Sequence, residues 1–125
     1  MKELVTIMKN QALTTSLKVA EYFGKKHKNI LAKIENLNLE IQSAKISADY
    51  NPQFFKSNYT DERGRKQLMY LLNRDAFMEV VGNLNGAKAR QFKRDYYAAF
   101  NTMEKILQEK STLDWQETRR LGKLS

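Results

Sequence analysis

The chain has 125 residues, one histidine, no cysteine and a formal net charge of +8, with a pI near 9.7. One domain's worth of chain with 42% apolar and 29% charged residues excludes a disordered tail, and no run approaches the roughly 20 apolar residues that span a bilayer. Lack of cysteine excludes a disulfide framework and fits a reducing cytoplasm, and the charge points to a polyanionic partner, nucleic acid before anionic membrane.

The first apolar run, Leu4 to Met8, is short and β-prone. Lys9-Asn10-Gln11 suits a turn, and Ala12 to Thr14 returns as a second short strand. No glycine marks that turn, so its register is open. Thr15 or Ser16 offers a side-chain oxygen to cap a helix, whose face is Leu17, Ala20 and Phe23 with Val19 beside them. Gly24 ends it, with Lys25 and Lys26 near the carbonyl end. A second helix runs from about His27 to Leu39 or a little beyond. Ile30, Ile34, Leu37 and Ile41 make its apolar stripe, and Asn29, Lys33 and Asn36 lie opposite with Lys28 and Ala32 flanking. Two short helices about a glycine turn are the grammar of a helix-turn-helix DNA reader. Lys25 and Lys33 stand where compact versions bury apolar side chains, so a longer turn is expected.

Gln42 to Gln53 loses periodicity, and Asn51-Pro52 breaks any helix there. The runs F-F-K-S-N-Y-T and K-Q-L-M-Y-L-L flank a polar loop with Gly64 as the left-handed residue, a hairpin whose tip and return limb carry Arg63, Arg65 and Lys66. Asn73 caps a third helix with Phe77, Val80, Val81 and Leu84 buried and Asn85-Gly86 closing it. The last strong element runs from Ala87 to about Lys110, striped by Ala89, Phe92, Tyr96, Ala99, Met103 and Ile106, with Arg90, Arg94 and Asn101 on its far side. Ser111 to Leu113 interrupts, and Asp114 to Gly122 starts another helical stretch. The fold class is α+β: a mainly helical, winged helix-turn-helix-like domain with two small β-hairpins and a long C-terminal amphipathic helix.

Catalysis is poorly supplied. A single histidine without cysteine makes no histidine–cysteine zinc cluster, and neither a phosphate-cradling glycine loop nor a serine nucleophile elbow is present. No catalytic residue, metal or cofactor is expected, and no small-molecule substrate. His27, at the start of the second helix, reads as a packed or terminus-bonded side chain before a phosphate contact. Phe92, Tyr96 and Phe100 read as core. The expected DNA-binding set is Lys25, Lys26, Lys28, Asn29, Lys33 and Asn36 from the helix-turn-helix, Arg63, Arg65 and Lys66 from the hairpin, and Lys88, Arg90 and Arg94, beside Lys93, from the long helix.

The run S-L-K-V-A-E-Y-F-G-K-K-H-K-N-I-L-A-K-I resembles the opening of the phage regulatory protein Rha family, whose V-A-E-x-F-G-K-x-H-x-x-V-L-x-x-I pattern falls here on Val19 to Ile34 with Ile30 in the valine slot. The S-x-Y hairpin with G-R at its turn, a Y-x-L-T-R-D-G-F-like segment, G-x-K-A and A-F-N-x-M-E follow in the family's order. Asn73 replaces the threonine, Ala76 the glycine, and V-V-G-N-L-N-G stands where M-G-F-T-G is common. The resemblance implies a regulator of a temperate phage or prophage, in a bacterial cytoplasm, binding double-stranded DNA through a winged-helix-like domain over residues 1–110. Residues 111–125 resemble the start of a further helical segment, so a short member or a truncated one is expected. The rival reading is an antirepressor that binds another regulator, with the long amphipathic helix as a face for that partner or for a second copy.

Overall fold

The computed structural model describes residues 4–43 and 49–124. Eight elements follow in order: β1 (Thr6–Met8), β2 (Gln11–Thr15), α1 (Ser16–Phe23), α2 (His27–Ser43), β3 (Phe54–Thr60), β4 (Lys66–Leu72), α3 (Arg74–Val81) and α4 (Ala87–Leu124). The strands form one antiparallel sheet in the order β1-β2-β4-β3. The chain is thus α+β, with four helices about a small sheet.

The first hairpin closes through Lys9 and Asn10, both at positive φ (53° and 60°), which fixes Met8 opposite Gln11. This is the twist that two-residue hairpins favour. Asparagine tolerates that conformation, whereas lysine adopts it at a cost. The Lys9 ammonium lies 5.4 Å from the centre of the Phe55 ring, a compensating cation–π contact. In β2 the successive residues Ala12, Leu13 and Thr14 are all buried, so both faces of this strand are covered.

Only Thr14↔Leu72 and Thr15↔Leu71 pair β2 with β4. The next rung is made by a side chain. Ser16 Oγ, fully buried, accepts the Tyr70 backbone N–H at 3.0 Å, just where the strand becomes a helix. Thr15 is the cap of α1, its Oγ1 accepting the Lys18 N–H at 3.0 Å. Thr14 reaches the other way: its hydroxyl donates to the Leu4 carbonyl at 2.8 Å and lies 3.3 Å from the Tyr96 hydroxyl on α4. Threonine has one proton to give, so Tyr96 is the donor in the longer contact.

At the end of α1, Gly24 adopts φ 67°, and the Gly24 and Lys25 N–H groups bond the Glu21 and Ala20 carbonyls at 3.3 and 2.8 Å. This left-handed cap reverses the chain within three residues. The longer turn expected from the sequence is therefore not formed: the reversal directs Lys25 and Lys26 to solvent, so no apolar side chain is needed there.

Two other boundaries differ from expectation. Helix α3 ends at Val81, and Asn85-Gly86 opens α4, whose Arg90 N–H bonds the Gly86 carbonyl at 3.0 Å. A glycine between two helices is a stop for one and a start for the other, and the sequence alone does not say which. Residues 111–113 do not interrupt α4, which runs through them for 38 residues, about 57 Å at 1.5 Å per residue. Serine and threonine in a helix interior cost only a few tenths of a kcal/mol, too little to break it. Along α4 the buried stripe turns from Met103 to Leu107, leaving Ile106 45% exposed.

The core is aromatic where α1, α3 and α4 meet. Phe77 and Tyr96 stack with ring centres 4.4 Å apart, Phe23 closes a triangle with them at 6.0 Å from Tyr96 and 6.1 Å from Phe77, and Phe100 is 5.7 Å from Phe77. Val19, Ile34, Leu72, Val80 and Val81 fill the space around them. Burying the Tyr96 hydroxyl pushes its pKa up to about 12. At the rim, the Arg74 guanidinium grips Glu104 through two nitrogens (2.7 and 3.2 Å), also donates to the Asn101 amide oxygen, and sits 5.6 Å from the Phe100 ring centre. Asn101, on the supposed far side of α4, is thus used to hold α3.

Candidate nucleic-acid interface

Helix α2 begins on a built joint. His27 Nε2 lies 2.9 Å from Ser16 Oγ, and its imidazole meets the Tyr59 ring edge-on with centres 5.7 Å apart. One histidine at the first position of α2 is thereby tied to the start of α1 and, through Ser16 and Tyr59, to both strands of the β3–β4 hairpin. This is the packed reading of His27. Burial lowers its pKa, with the Glu21 carboxylate acting weakly against that shift.

A pH dependence follows. The unfolded chain binds the histidine proton more readily than the folded protein does. Stability is therefore full above the ordinary value of 6.5 and is lost as pH falls through it toward the lower folded value. Between about pH 7.5 and about pH 5.5 the thermal midpoint of the wild type should drop more than that of His27→Gln; equal drops would assign the dependence to other groups.

The expected contact residues fall into three groups. Lys25 and Lys26 in the α1–α2 turn, and Lys28, Asn29 and Asn36 on α2, are exposed. Lys33 is not free in the same way. It is half-buried, its ammonium donates to the Asn83 side chain in the α3–α4 connection, and burial lowers its pKa, with Glu79 opposing the shift and Lys93 adding to it.

The hairpin tip forms the second group. Asp61 organises it, accepting the Arg63 and Arg65 N–H groups at 3.0 and 2.9 Å and the Gln67 amide at 3.1 Å, while Gly64 takes φ 79°. The bond from the Arg65 N–H, then that from Gln67, holds the Asp61 carboxyl below its ordinary pKa. Arg63, Arg65 and Lys66 project from this turn, all exposed, with only Arg65 leaning on Asp61. On α4, Lys88, Arg90 and Arg94 are exposed. Lys25, Asn83, Asn85 and Lys88 all line one cleft of about 270 Å³. Lys93 instead caps the Leu84 carbonyl at 2.7 Å.

The sequence reading missed the true outer edge of α2. Lys28, Ala32, Glu35, Asn36 and Leu39 are exposed together, Leu39 at 68%. Counting 3.6 residues per turn from Ile30 and Ile34 puts Lys33 beside the apolar stripe rather than opposite it, so the signal was present. Elsewhere, an apolar groove of about 560 Å³ runs between α1 and the hairpin, lined by Leu4, Leu17, Tyr22, Tyr59 and Met69 with Lys18 and Glu21 at its rim. Among the described residues no three potential metal ligands come together, and no helix is long and apolar enough to cross a membrane.

The family model described as phage regulatory protein Rha matches residues 14–105, from β2 through the packed part of α4. The chain belongs to the phage regulatory protein Rha family. Similar proteins include one from Haemophilus influenzae, 34% identical over 101 residues, covering 81% of this chain and 57% of the relative. A 22.8 kDa protein of Salmonella phage P22 is 31% identical over 114 residues, 88% of this chain and 53% of that one. A SPbeta prophage-derived, antirepressor-like protein of Bacillus subtilis is 31% identical over 116 residues, 90% and 45%. The chain thus spans about half the length of these curated relatives, and no solved structure matches it. The matched family is described as a phage regulatory one, and two of these relatives come from a phage and a prophage.

Within the Rha pattern, Asn73 in the usual threonine position has a visible use. Its Oδ1 accepts the Ala76 and Gln53 N–H groups at 2.9 and 3.0 Å, and its amide donates to the Asn51 carbonyl at 2.8 Å. A threonine can cap α3 but has no amide to hold the Asn51 carbonyl. Ala76 in the usual glycine position is fully buried inside α3.

Proposed function

We propose that this Rha-family chain is a non-enzymatic, sequence-selective regulator that binds double-stranded DNA as a winged helix-turn-helix. In this reading α1 and α2 are the paired helices, β3–β4 is the wing, and β2 completes the wing's sheet. Helix α2 enters the major groove, the basic hairpin tip lies on the backbone or in the minor groove, and Lys25, Lys26 and Lys88 meet phosphates, with Arg90 and Arg94 extending that track. The observation that carries the proposal is the His27 joint: the cationic start of α2 and the arginine-bearing hairpin are mounted on the same side chains, Ser16 and Tyr59, in a chain of net charge +8.

Phosphate contacts supply most of the affinity of such an interface, and base contacts its selectivity. Binding of prophage operator fragments, followed by fluorescence anisotropy, should be measurable at low salt and weaken linearly in log–log form as salt rises. Undetectable binding at low salt, or binding indifferent to salt, would sink the reading.

A second reading is an antirepressor that binds another regulator. It is favoured by the antirepressor-like Bacillus subtilis relative and by the apolar groove beside α1. A regulator that binds the chain in the absence of DNA, through a surface blocked by Leu17→Glu, would support it.

A further inference from the structure

The geometry of α2 points to a division of labour that rests on the DNA-binding reading: we infer that Lys28, Ala32 and Asn36 face the base edges, and that Lys33 is a positioning residue that sets the pitch of α2 without touching a base.

Ile30 and Ile34 are 5% and 0% exposed and fix which side of α2 faces the core. The opposite side carries Lys28, Ala32 and Asn36 at steps of four residues, all exposed, with Leu39 one turn on. Lys33 lies on a flank. Its stem is half-buried and its ammonium is committed to Asn83, at the point where α3 hands over to α4. That connection is held independently by Lys93 on the Leu84 carbonyl and by the Leu84 N–H on the Val81 carbonyl at 3.0 Å. A helix is thus tethered on one edge to a braced turn, while His27 anchors its start to Ser16 and Tyr59. Two anchors on different elements define its tilt.

The exposed row is chemically mixed in a way that suits a groove floor better than a backbone. A lysine pairs with guanine O6 and N7, an asparagine with adenine N6 and N7, and an alanine methyl packs on the thymine methyl. Glu35, exposed at the edge of the same row, is repelled by phosphates but can accept a cytosine amino proton. The surrounding cations, Lys25 and Lys26, are placed before the row begins and supply the charge complementarity that brings it to DNA.

The test begins with genomic fragments selected by the full chain. The enriched site is then remade with each thymine in turn replaced by deoxyuridine, which deletes only the methyl group. One position should cost the wild type about fourfold in affinity, the size of burying one such group, and cost Ala32→Gly nothing. Asn36→Ala should relax the preference at one adenine. Lys33→Ala and Asn83→Ala should each weaken every sequence to the same extent and leave the preferred bases unchanged, with Lys33→Arg restoring affinity. A base preference altered by Lys33→Ala, or thymine-methyl sensitivity retained in Ala32→Gly, overturns the assignment. If the wild type enriches no sequence, the DNA reading itself fails and the base assignment with it. The tether is then still judged without DNA: Lys33→Ala and Asn83→Ala must raise amide exchange across residues 83–85 equally, and unequal or absent effects overturn it.

Discussion

Tyr96→Ala is expected to cost about 3–5 kcal/mol of stability, the range for emptying a fully buried aromatic site. Tyr96 is 0% exposed, packed against both Phe77 and Phe23, and its hydroxyl meets Thr14 on β2. Removing the ring opens a void bordered by α1, α3, α4 and the sheet at once, so no single element can move in to fill it. Domains of this size are typically stable by only about 5–15 kcal/mol, so the variant should unfold at a much lower urea midpoint. Tyr96→Phe separates ring from hydroxyl. Thr14 keeps its bond to the Leu4 carbonyl, so the phenylalanine variant should lose only about 1 kcal/mol. Similar midpoints for the alanine variant and the wild type would contradict the placement of Tyr96 at the centre of the core.

Removing the three hairpin cations, Arg63→Ala, Arg65→Ala and Lys66→Ala together, is expected to weaken DNA binding by roughly 10–100-fold near physiological salt and to flatten the log–log salt dependence by about 2–3, close to one for each phosphate no longer neutralised. The turn itself should survive, because Asp61 is held by the backbone N–H groups of residues 63 and 65 and by Gln67 rather than by the arginine side chains alone. The Arg65–Asp61 ion pair is exposed and contributes little. An unchanged thermal midpoint with unchanged affinity would remove the hairpin from the interface and leave α2 and the α4 cations to account for any binding.

Much of the fold was legible where local chemistry and tertiary demand agree. The aromatic and β-branched runs about R-G-R specified the β3–β4 hairpin, Asn73 specified its helix start, and the isoleucine repeat specified α2. Legibility ended where two neighbours had equal local claims. Thr15 and Ser16 both carry a hydroxyl suited to a cap, and only the position of the Tyr70 N–H, 54 residues away, gives Ser16 its other task. Ile106 and Leu107 both continue a helical stripe, and the choice depends on where the packed body lies under α4. The turn after α1 was misjudged because lysine was weighed as a missing apolar contact, whereas the chain reversal at Gly24 leaves no core position there to fill. In the candidate site the hairpin cations and the start of α2 were legible as charge. The tie from Lys33 to Asn83 joins residues 50 apart in sequence and leaves no local trace.

The four residues Leu13 to Ser16 each answer to a different constraint: Leu13 to packing, Thr14 to the Leu4 carbonyl and Tyr96, Thr15 to the start of α1, and Ser16 to Tyr70 and His27. No substitution at one is eased by a change at the next, because their obligations run to separate parts of the molecule. The outer row of α2, by contrast, owes nothing to the core. Mutational freedom is therefore unevenly distributed: this tract is nearly frozen, while the surface proposed to select DNA can be rewritten without unfolding the domain.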